Sequence, residues 1–283
     1  MYLDTHSQKT MERSVCAYLG ISTSDLYTFL EEAGMASQKE YYFNGYTFNS
    51  IIDKFLAENT SQFEVDEILF FHLGRRLNAA ADDTEGRNLA DLLTTSNPFS
   101  DYLKAHEFDF KRTETHIDVL YKGRPMLLDD RCDPRMSYLR SRLGYNEGRE
   151  DYCFNGFAFK DILYRNQYVR ILFYVPEIIA ALSNFVNDIK IRRDYIDASK
   201  FFCFEYLVPF DKIVFDQDEN MSELQKRRYF VKQILQRLYE YRTCELQYMS
   251  DEENPILRLA DEESMPTEFF VSKEEIFVDM VGK

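Results

Sequence analysis

Short apolar runs that lie far apart in the chain are the feature that most constrains the fold. The runs ILFF at 68–71 and FFCFEYLV at 201–208 have the length of buried strands, although periodicity alone does not exclude a helix at the first. At 222–243 the apolar residues instead recur at three- and four-residue steps, which predicts a helix. Separated short strands among helices predict an α+β fold, in which helices flank a small, mostly antiparallel split sheet.

Length and composition are those of a globular chain. The 283 residues are enough for one large domain or two modest ones, and a hydrophobic content of 45% supports a packed core. The apolar run at 169–175 is too short to cross a membrane, and the N-terminus is too polar for a secretory signal. We therefore expect a cytoplasmic protein that does not enter a membrane.

The acidic residues are concentrated near the C-terminus. The net charge is −15, and residues 245–283 contribute eleven acids and three bases to it. A solvated acidic tail is the simplest interpretation, and a dedicated interaction arm is the alternative. Charge and periodicity together predict four segments: a helical segment at 1–64, an α+β core at 65–216, a long amphipathic helix at 217–249 and an acidic tail at 250–283.

Capping and turn residues predict the boundaries of several elements. Residues 12–35 are expected to be helical, with a cap at Ser22 and a C-terminal stop at Gly34. Residues 86–106 predict two helices separated by a Ser-Asn-Pro break. Residues 116–128 predict a hairpin that turns at Lys-Gly.

One aromatic phrase occurs twice, as YYFNGYTFNSII at 41–52 and as YCFNGFAFKDIL at 152–163. Asn-Gly between aromatic residues is a hairpin signal, but the phenylalanines one residue before and four residues after each Asn suit a hydrophobic staple. We therefore predict that Asn44 and Asn155 each cap a helix. Ancestral duplication and a phosphate site at such a helix start remain alternatives.

Five cysteines are spread along the chain without a metal-type pattern. Their number is odd, no CxxC pair occurs, and none has zinc-type spacing to a histidine. We expect a reduced intracellular protein that has no structural zinc and no other metal site.

Two apolar runs contain a reactive polar residue, namely His72 and Glu205. Burying either side chain is costly unless it has a partner or lines a cleft. A lone histidine in such a run is more often a satisfied core residue. In a strand, Glu205 would share its face with Cys203 and Leu207, while Phe204 would point to the other face. Glu205 is therefore the stronger candidate for a functional role.

The order of these residues resembles the His–Tyr–Glu layout of the ADP-ribosyltransferase family, particularly its bacterial toxin and phage-defence branches. A strand that contains His72 precedes helices and an aromatic-rich middle, and a late strand contains Glu205 in the sequence EYLVP. The resemblance spans about residues 66–215. It implies transfer of ADP-ribose from NAD to a protein or nucleic-acid target.

The resemblance also implies roles for individual residues. His72 would hydrogen-bond a ribose of NAD, and Tyr152 would stack on the nicotinamide, with two nearby tyrosines as competitors. Glu205 would bond a ribose hydroxyl and stabilise the positive charge that develops as nicotinamide leaves. Arg75 or Arg76 would hold the pyrophosphate. The chain lacks a Ser-Thr-Ser strand and has Cys203 two residues before Glu205, so the acceptor is open.

The segment 131–149 is rich in arginine and interleaved with tyrosine, as in a single-strand nucleic-acid binder. Pairing of these arginines with the surplus carboxylates is the simpler interpretation. The arginines concerned are Arg131, Arg135, Arg140, Arg142 and Arg149.

Two hypotheses for function follow. The first is an NAD-dependent ADP-ribosyltransferase, for example a toxin or defence effector, whose His72 and Glu205 converge on one ligand. The second is a non-enzymatic acidic interaction or inhibitor protein that binds a basic partner and loses affinity as salt is added.

Overall fold

The computed structural model describes residues 1–59, 61–128, 134–146 and 151–281, apart from the side chains of residues 134 and 135. Within them the chain has the predicted α+β fold. The helices are α1 (Gln8–Leu19), α2 (Thr23–Ser37), α3 (Gly45–Glu58), α4 (Leu89–Thr94), α5 (Pro98–Ala105), α6 (Pro134–Arg142), α7 (Gln167–Tyr174), α8 (Glu177–Phe185), α9 (Ile189–Asp197) and α10 (Glu223–Thr243).

The strands of the described residues form two sheets, which are mostly antiparallel. One has the order β7-β8-β5-β1-β6-β9 and the other the order β2-β3-β4. The strands are β1 (Glu67–Leu77), β2 (Phe108–Arg112), β3 (Ile117–Tyr121), β4 (Arg124–Pro125), β5 (Asn155–Phe157), β6 (Ser199–Pro209), β7 (Val214–Phe215), β8 (Ile256–Arg258) and β9 (Phe270–Glu275).

The chain divides into two compact units. Unit 1 comprises Met1–Phe70, Phe157–Asn166 and Leu207–Leu257, and unit 2 comprises Phe71–Gly156, Gln167–Tyr206 and Arg258–Lys283. In unit 1 the helices α1, α2, α3 and α10 pack together. In unit 2 one hydrophobic cluster joins buried side chains of β2 and β3 with those of α4, α5, α6, α8 and α9.

The N-terminal helix prediction is confirmed in type but wrong at two boundaries. The chain forms two helices here, because Gly20 adopts a left-handed conformation with φ of 66° and ends α1. Ser22 then caps α2 through a capping box with Asp25, as predicted. Gly34 does not end α2, which continues to Ser37. Its hydrogen is needed for packing, since a Cβ at Gly34 would clash with the ring of Tyr239 on α10.

The other local predictions are largely confirmed. Helices α4 and α5 flank the Ser-Asn-Pro break, and Asn97 caps α5 ahead of Pro98. The hairpin of β3 and β4 turns at Lys122 and Gly123, whose φ angles of 53° and 71° suit a two-residue hairpin turn. Helix α10 (Glu223–Thr243) confirms the helix that periodicity predicts at 222–243, and it begins at a capping box on Ser222.

The repeated aromatic phrase adopts two different structures. At the first copy, Asn44 caps α3 by accepting from the backbone N of Thr47 at 3.1 Å. The rings of Phe43 and Phe48 lie 5.4 Å apart, which confirms the staple. At the second copy the helix prediction is wrong, because Asn155 begins β5 instead.

Residues 250–281 are folded rather than a solvated extension. They contribute β8 and β9, and Asp251 is fully buried. The many acidic residues of this segment therefore belong to folded structure and do not form a free acidic arm.

In the described residues no single helix has the length and apolar composition to cross a membrane. The pair α7 and α8 passes that test together, with a bend of 59° between them.

Candidate functional site

Strand β1 directs alternate side chains to opposite faces of the six-stranded sheet. His72, Gly74 and Arg76 lie on one face, here called the His72 face, while Arg75 points to the other. This alternation is visible in the sequence as His-x-Gly-x-Arg. It determines which polar groups can reach a common ligand.

His72 is held as a neutral acceptor. Its Nδ1 lies 2.7 Å from the carbonyl oxygen of Asn155, and its ring stacks on Phe154 at a centroid distance of 4.1 Å. Burial and the charge of Arg76 lower the pKa of His72 to about 3, although the Asn155 carbonyl opposes the shift. A carbonyl can only accept, so Nδ1 carries the proton and Nε2 presents a lone pair.

Arg76 presents a guanidinium without a carboxylate partner among the described residues. Its Cζ lies 4.4 Å from the ring centroid of Phe204, a cation–π geometry, and its Nη1 is 3.4 Å from the carbonyl oxygen of Arg75. The fork of N–H donors on such a guanidinium suits a phosphate or carboxylate oxygen.

Gly74 allows these two groups to pack closely over its backbone. A Cβ at Gly74 would lie 2.8 Å from Nε2 of His72 and 3.1 Å from Nη1 of Arg76. The absence of a side chain therefore lets an acceptor and a cationic donor come close together over the Gly74 backbone. A ligand that carries a hydroxyl donor near an anionic oxygen would match these two groups.

Asp83 adds a carboxylate within electrostatic reach of Arg76. Burial raises the pKa of Asp83, but hydrogen bonds from Arg87 and the backbone of Glu85, with the charges of Arg87 and Arg76, lower it overall. The Oδ2 of Asp83 lies 2.6 Å from Nη1 of Arg87. Asp83 is therefore ionised at neutral pH.

Glu205 does not converge with His72. Phe204 contacts Arg76 on the His72 face, so the next residue of β6 points to the opposite face. There Glu205 is paired with Ser272 of β9, whose hydroxyl donates to its Oε2 at 2.8 Å. The expectation that His72 and Glu205 meet at one ligand is wrong, although a catalytic role for Glu205 stays a prediction.

Arg75 is occupied by backbone and hydroxyl groups of unit 2. Its guanidinium donates to the hydroxyl and carbonyl oxygens of Ser199, both at 2.8 Å, to Phe173 O at 2.6 Å and to Ile196 O at 3.2 Å. These bonds satisfy carbonyls near the ends of α7 and α9. Arg75 therefore holds helices in place, and Arg76 is the better candidate for a pyrophosphate.

Tyr152 is part of the hydrophobic cluster of unit 2 and does not offer a ring face to a ligand. It is 1% exposed, and its hydroxyl donates to the carbonyl oxygen of Leu143 at 3.2 Å. The predicted stacking on nicotinamide does not fit this burial.

The arginine-rich segment is described only in part. Arg131 and Arg149 lie outside the described residues, as does the side chain of Arg135. Arg140 is buried and donates to Leu128 and Tyr145 carbonyls, while Arg142 pairs with Asp151 at 2.6 Å. Internal partners thus account for two of the arginines, and nucleic-acid binding by the segment stays a prediction.

Comparison of the chain with protein-family models, with curated proteins and with solved structures gave no match. In the parts of the chain that the structure describes, no group of three or more His, Cys, Asp or Glu side chains is arranged to hold a metal ion.

Proposed function

We propose that the His72 face of unit 2 binds NAD and that the protein transfers its ADP-ribosyl group to a protein or nucleic-acid acceptor. The observation that carries the proposal is the pair of polar groups that approach each other over Gly74, namely the neutral acceptor Nε2 of His72 and the guanidinium of Arg76. NAD combines the two matching groups, a ribose hydroxyl that donates and a pyrophosphate that carries negative charge.

His72 and Arg76 have separate roles in the proposed reaction. Nε2 of His72 accepts from a ribose hydroxyl and orients the sugar, and Arg76 binds a pyrophosphate oxygen. The bond between ribose C1′ and nicotinamide breaks, and nicotinamide leaves with the bonding electron pair. The acceptor's nucleophile then bonds to C1′ and loses a proton.

Positive charge develops on the ribose during this step, and a fixed carboxylate nearby lowers the barrier. Asp83 supplies a carboxylate within electrostatic reach of Arg76. Glu205, on the opposite face, is not used with His72 in this scheme.

Nicotinamide release and NAD binding by the purified protein test the proposal. We expect His72→Ala and Arg76→Gln to lower NAD affinity at least tenfold, and Asp83→Asn to lower release more than binding. Arg193→Gln, an exposed arginine of α9 in the same unit, is the matched control and should change neither.

A wild-type protein that neither binds NAD nor releases nicotinamide would overturn the proposal. Glu205→Gln belongs in the same series. Loss of release in that variant, with binding retained, would restore Glu205 as a catalytic residue and remove Asp83 from the scheme.

A further inference from the structure

Unit 1 buries two carboxylates beside one guanidinium. The side chains of Asp161 and Asp251 are 1% and 0% exposed, and that of Arg237 on α10 is 2% exposed. Among the described residues, Arg237 is the one base that pairs with either carboxylate. These three groups, here called the Asp161–Asp251 cluster, therefore carry one negative charge in excess when both carboxylates are ionised.

The two carboxylates do not share the guanidinium equally. Nη2 of Arg237 donates to Oδ1 of Asp251 at 2.6 Å, whereas Nη1 lies 3.8 Å from Oδ2 of Asp161, which is beyond hydrogen-bond reach. Oδ1 of Asp161 and Nη1 of Arg237 are both buried, and neither has a hydrogen-bond partner in the described part of the chain. Leaving a buried acceptor without a donor is costly, and the cost is larger when the acceptor is charged.

The neighbouring titratable groups do not supply the missing positive charge. On α10, Oε2 of Glu240 lies 3.6 Å from Nε of Arg237, and the Tyr241 hydroxyl donates to Oδ2 of Asp161 at 2.8 Å. Burial raises the pKa of Glu240, and the charges of Glu253 and Asp161 raise it further against the opposing charge of Arg237. Each of these neighbours is neutral or acidic, so none of them balances the second carboxylate.

Asp251 lies in a buried loop that has neither helix nor strand, residues 249–255, here called the Asp251 loop. Asn254 of this loop donates from Nδ2 to Oδ2 of Asp251 at 2.7 Å and to Phe159 O at 2.8 Å. Its Oδ1 accepts from the backbone N of Phe159 at 3.0 Å. The bond between Asp251 and Arg237 and the bonds between Asn254 and Phe159 therefore hold one loop in place.

We propose that Asp161 and Asp251 hold one proton in the folded chain, and that release of this proton loosens the Asp251 loop from α10. A proton suits the cluster because it turns a carboxylate into a neutral group with one O–H donor, without placing a second ion beside Arg237. The proton belongs to the pair, since ionisation of either carboxylate makes ionisation of the other more costly. This inference is independent of NAD binding, which is proposed for unit 2.

The charge balance gives the direction of the effect of pH. With the proton bound, the cluster has no net charge, and without it one negative charge stays buried unless the loop opens to water. Burial raises the pKa of Asp251 to about 7, with Arg237 and Asn254 opposing the shift and the charge of Asp161 adding to it. The closed loop is therefore favoured below pH 7 and loses stability as the pH rises towards that value.

The first test follows the carboxyl carbon resonances of Asp161 and Asp251 by NMR from about pH 4 to pH 9. In Asp161→Asn, Arg237 serves a single carboxylate, so the proton affinity of Asp251 should fall about tenfold or more. Asp53→Asn is the matched control, because it removes an exposed carboxylate of unit 1 that pairs with Lys232 of α10. It should leave the titration midpoint of Asp251 unchanged.

Tyr241→Phe changes the cluster in the opposite direction while keeping the aromatic ring. Asp161 then loses its hydroxyl donor, which favours the protonated form of the pair. The titration midpoint of Asp251 should therefore rise in this variant. A fall would contradict the sharing of one proton.

Amide exchange of Phe159 tests the release of the loop, since its backbone N donates to Asn254. From pH 6 to pH 8 we expect the protection of this amide, measured against an unstructured chain at the same pH, to fall about tenfold. It should change by less than about threefold in Asp161→Asn and Asp251→Asn, since neither variant holds two carboxylates beside Arg237.

Two results would overturn the inference. If the midpoint of Asp251 is the same in wild type and Asp161→Asn, the two carboxylates do not share a proton. If the amide of Leu30, a buried residue of α2, exchanges as fast as that of Phe159 at pH 8, unit 1 opens as a whole and the loop is not released by itself.

Discussion

His72 and Arg76 flank Gly74 on one face of β1, and the point where a Gly74 Cβ would lie is 2.8 Å from Nε2 and 3.1 Å from Nη1. The ring of His72 cannot yield easily, because it is hydrogen-bonded to Asn155 and stacked on Phe154. The close approach of the two groups thus depends on the absence of a side chain at position 74.

We predict that Gly74→Ala removes NAD binding while both polar side chains remain. The added methyl group clashes with Nε2 of His72 and crowds Nη1 of Arg76, so it displaces the groups that would bind NAD, at a cost of about 1–3 kcal/mol in the free energy of unfolding. Calorimetric titration with NAD and denaturant unfolding check this.

Gly45→Ala is the matched control for that experiment, since no atom lies within 4 Å of a Cβ added at Gly45. It should bind NAD as wild type does. Unchanged NAD affinity in Gly74→Ala would place the ligand elsewhere.

Substitutions of the adjacent Arg75 and Arg76 are predicted to have different effects, one on the free energy of unfolding and the other on NAD affinity. Arg75→Gln breaks hydrogen bonds to Ser199, Phe173 and Ile196, so it should lower the free energy of unfolding by at least about 2 kcal/mol. Arg76→Gln loses a cation–π contact and should cost about 1 kcal/mol or less while NAD affinity falls. The opposite order of the two stability losses would contradict the assigned roles.

The sequence predicts where the strands lie and how their side chains alternate between the two faces. It predicts less securely which residues of different strands lie close together. Period-two patterning correctly separates Phe204 from Glu205 on β6. The pairing of β1 with β6 determines which side chains of β1 lie on the same face of the sheet as Phe204. No local sequence pattern encodes that pairing. For that reason the sequence identifies His72 and Glu205 as candidates, but it does not predict that they lie on opposite faces of the sheet.

The two copies of the aromatic phrase also show that local sequence does not determine how distant strands pair. Local signals predict a helix start at both, and the first copy follows them. At the second copy the backbone joins a sheet, and the carbonyl of Asn155 meets His72 from a distant part of the chain. Tertiary hydrogen bonds that the local sequence does not contain therefore outweigh the capping signal.

Asp251 is predicted to make unit 1 less stable as pH rises. Burial raises its pKa to about 7, which outweighs the opposing effects of Arg237, 2.6 Å from its Oδ1, and of Asn254. The folded chain thus binds more protons than the unfolded chain between about pH 4 and pH 7. Stability is then lost on going from pH 5 to pH 8, with a slope of up to about 1.4 kcal/mol per pH unit below pH 7.

Comparison of wild type with Asp251→Asn isolates this effect, because asparagine keeps the size of the side chain, does not titrate, and can still accept one of the two hydrogen bonds that Arg237 and Asn254 donate. Other charged or titratable groups near Asp251 are Arg237, Asp161, Glu240 and Tyr241, and they are present in both proteins. We expect the difference in the free energy of unfolding to grow in favour of the variant from pH 5 to pH 8. Parallel pH profiles would mean that Asp251 does not titrate in this range.

Gly34→Ala is predicted to destabilise unit 1, although replacing a helix glycine by alanine ordinarily stabilises by about 1 kcal/mol. The reason is the clash of the new methyl group with Tyr239, which should cost about 1–3 kcal/mol. The effect should vanish in the background Tyr239→Ala, where the methyl group has room. Urea unfolding of the two single variants and the double variant measures this coupling. If Gly34→Ala alone is as stable as wild type, α2 and α10 do not need a glycine at their contact.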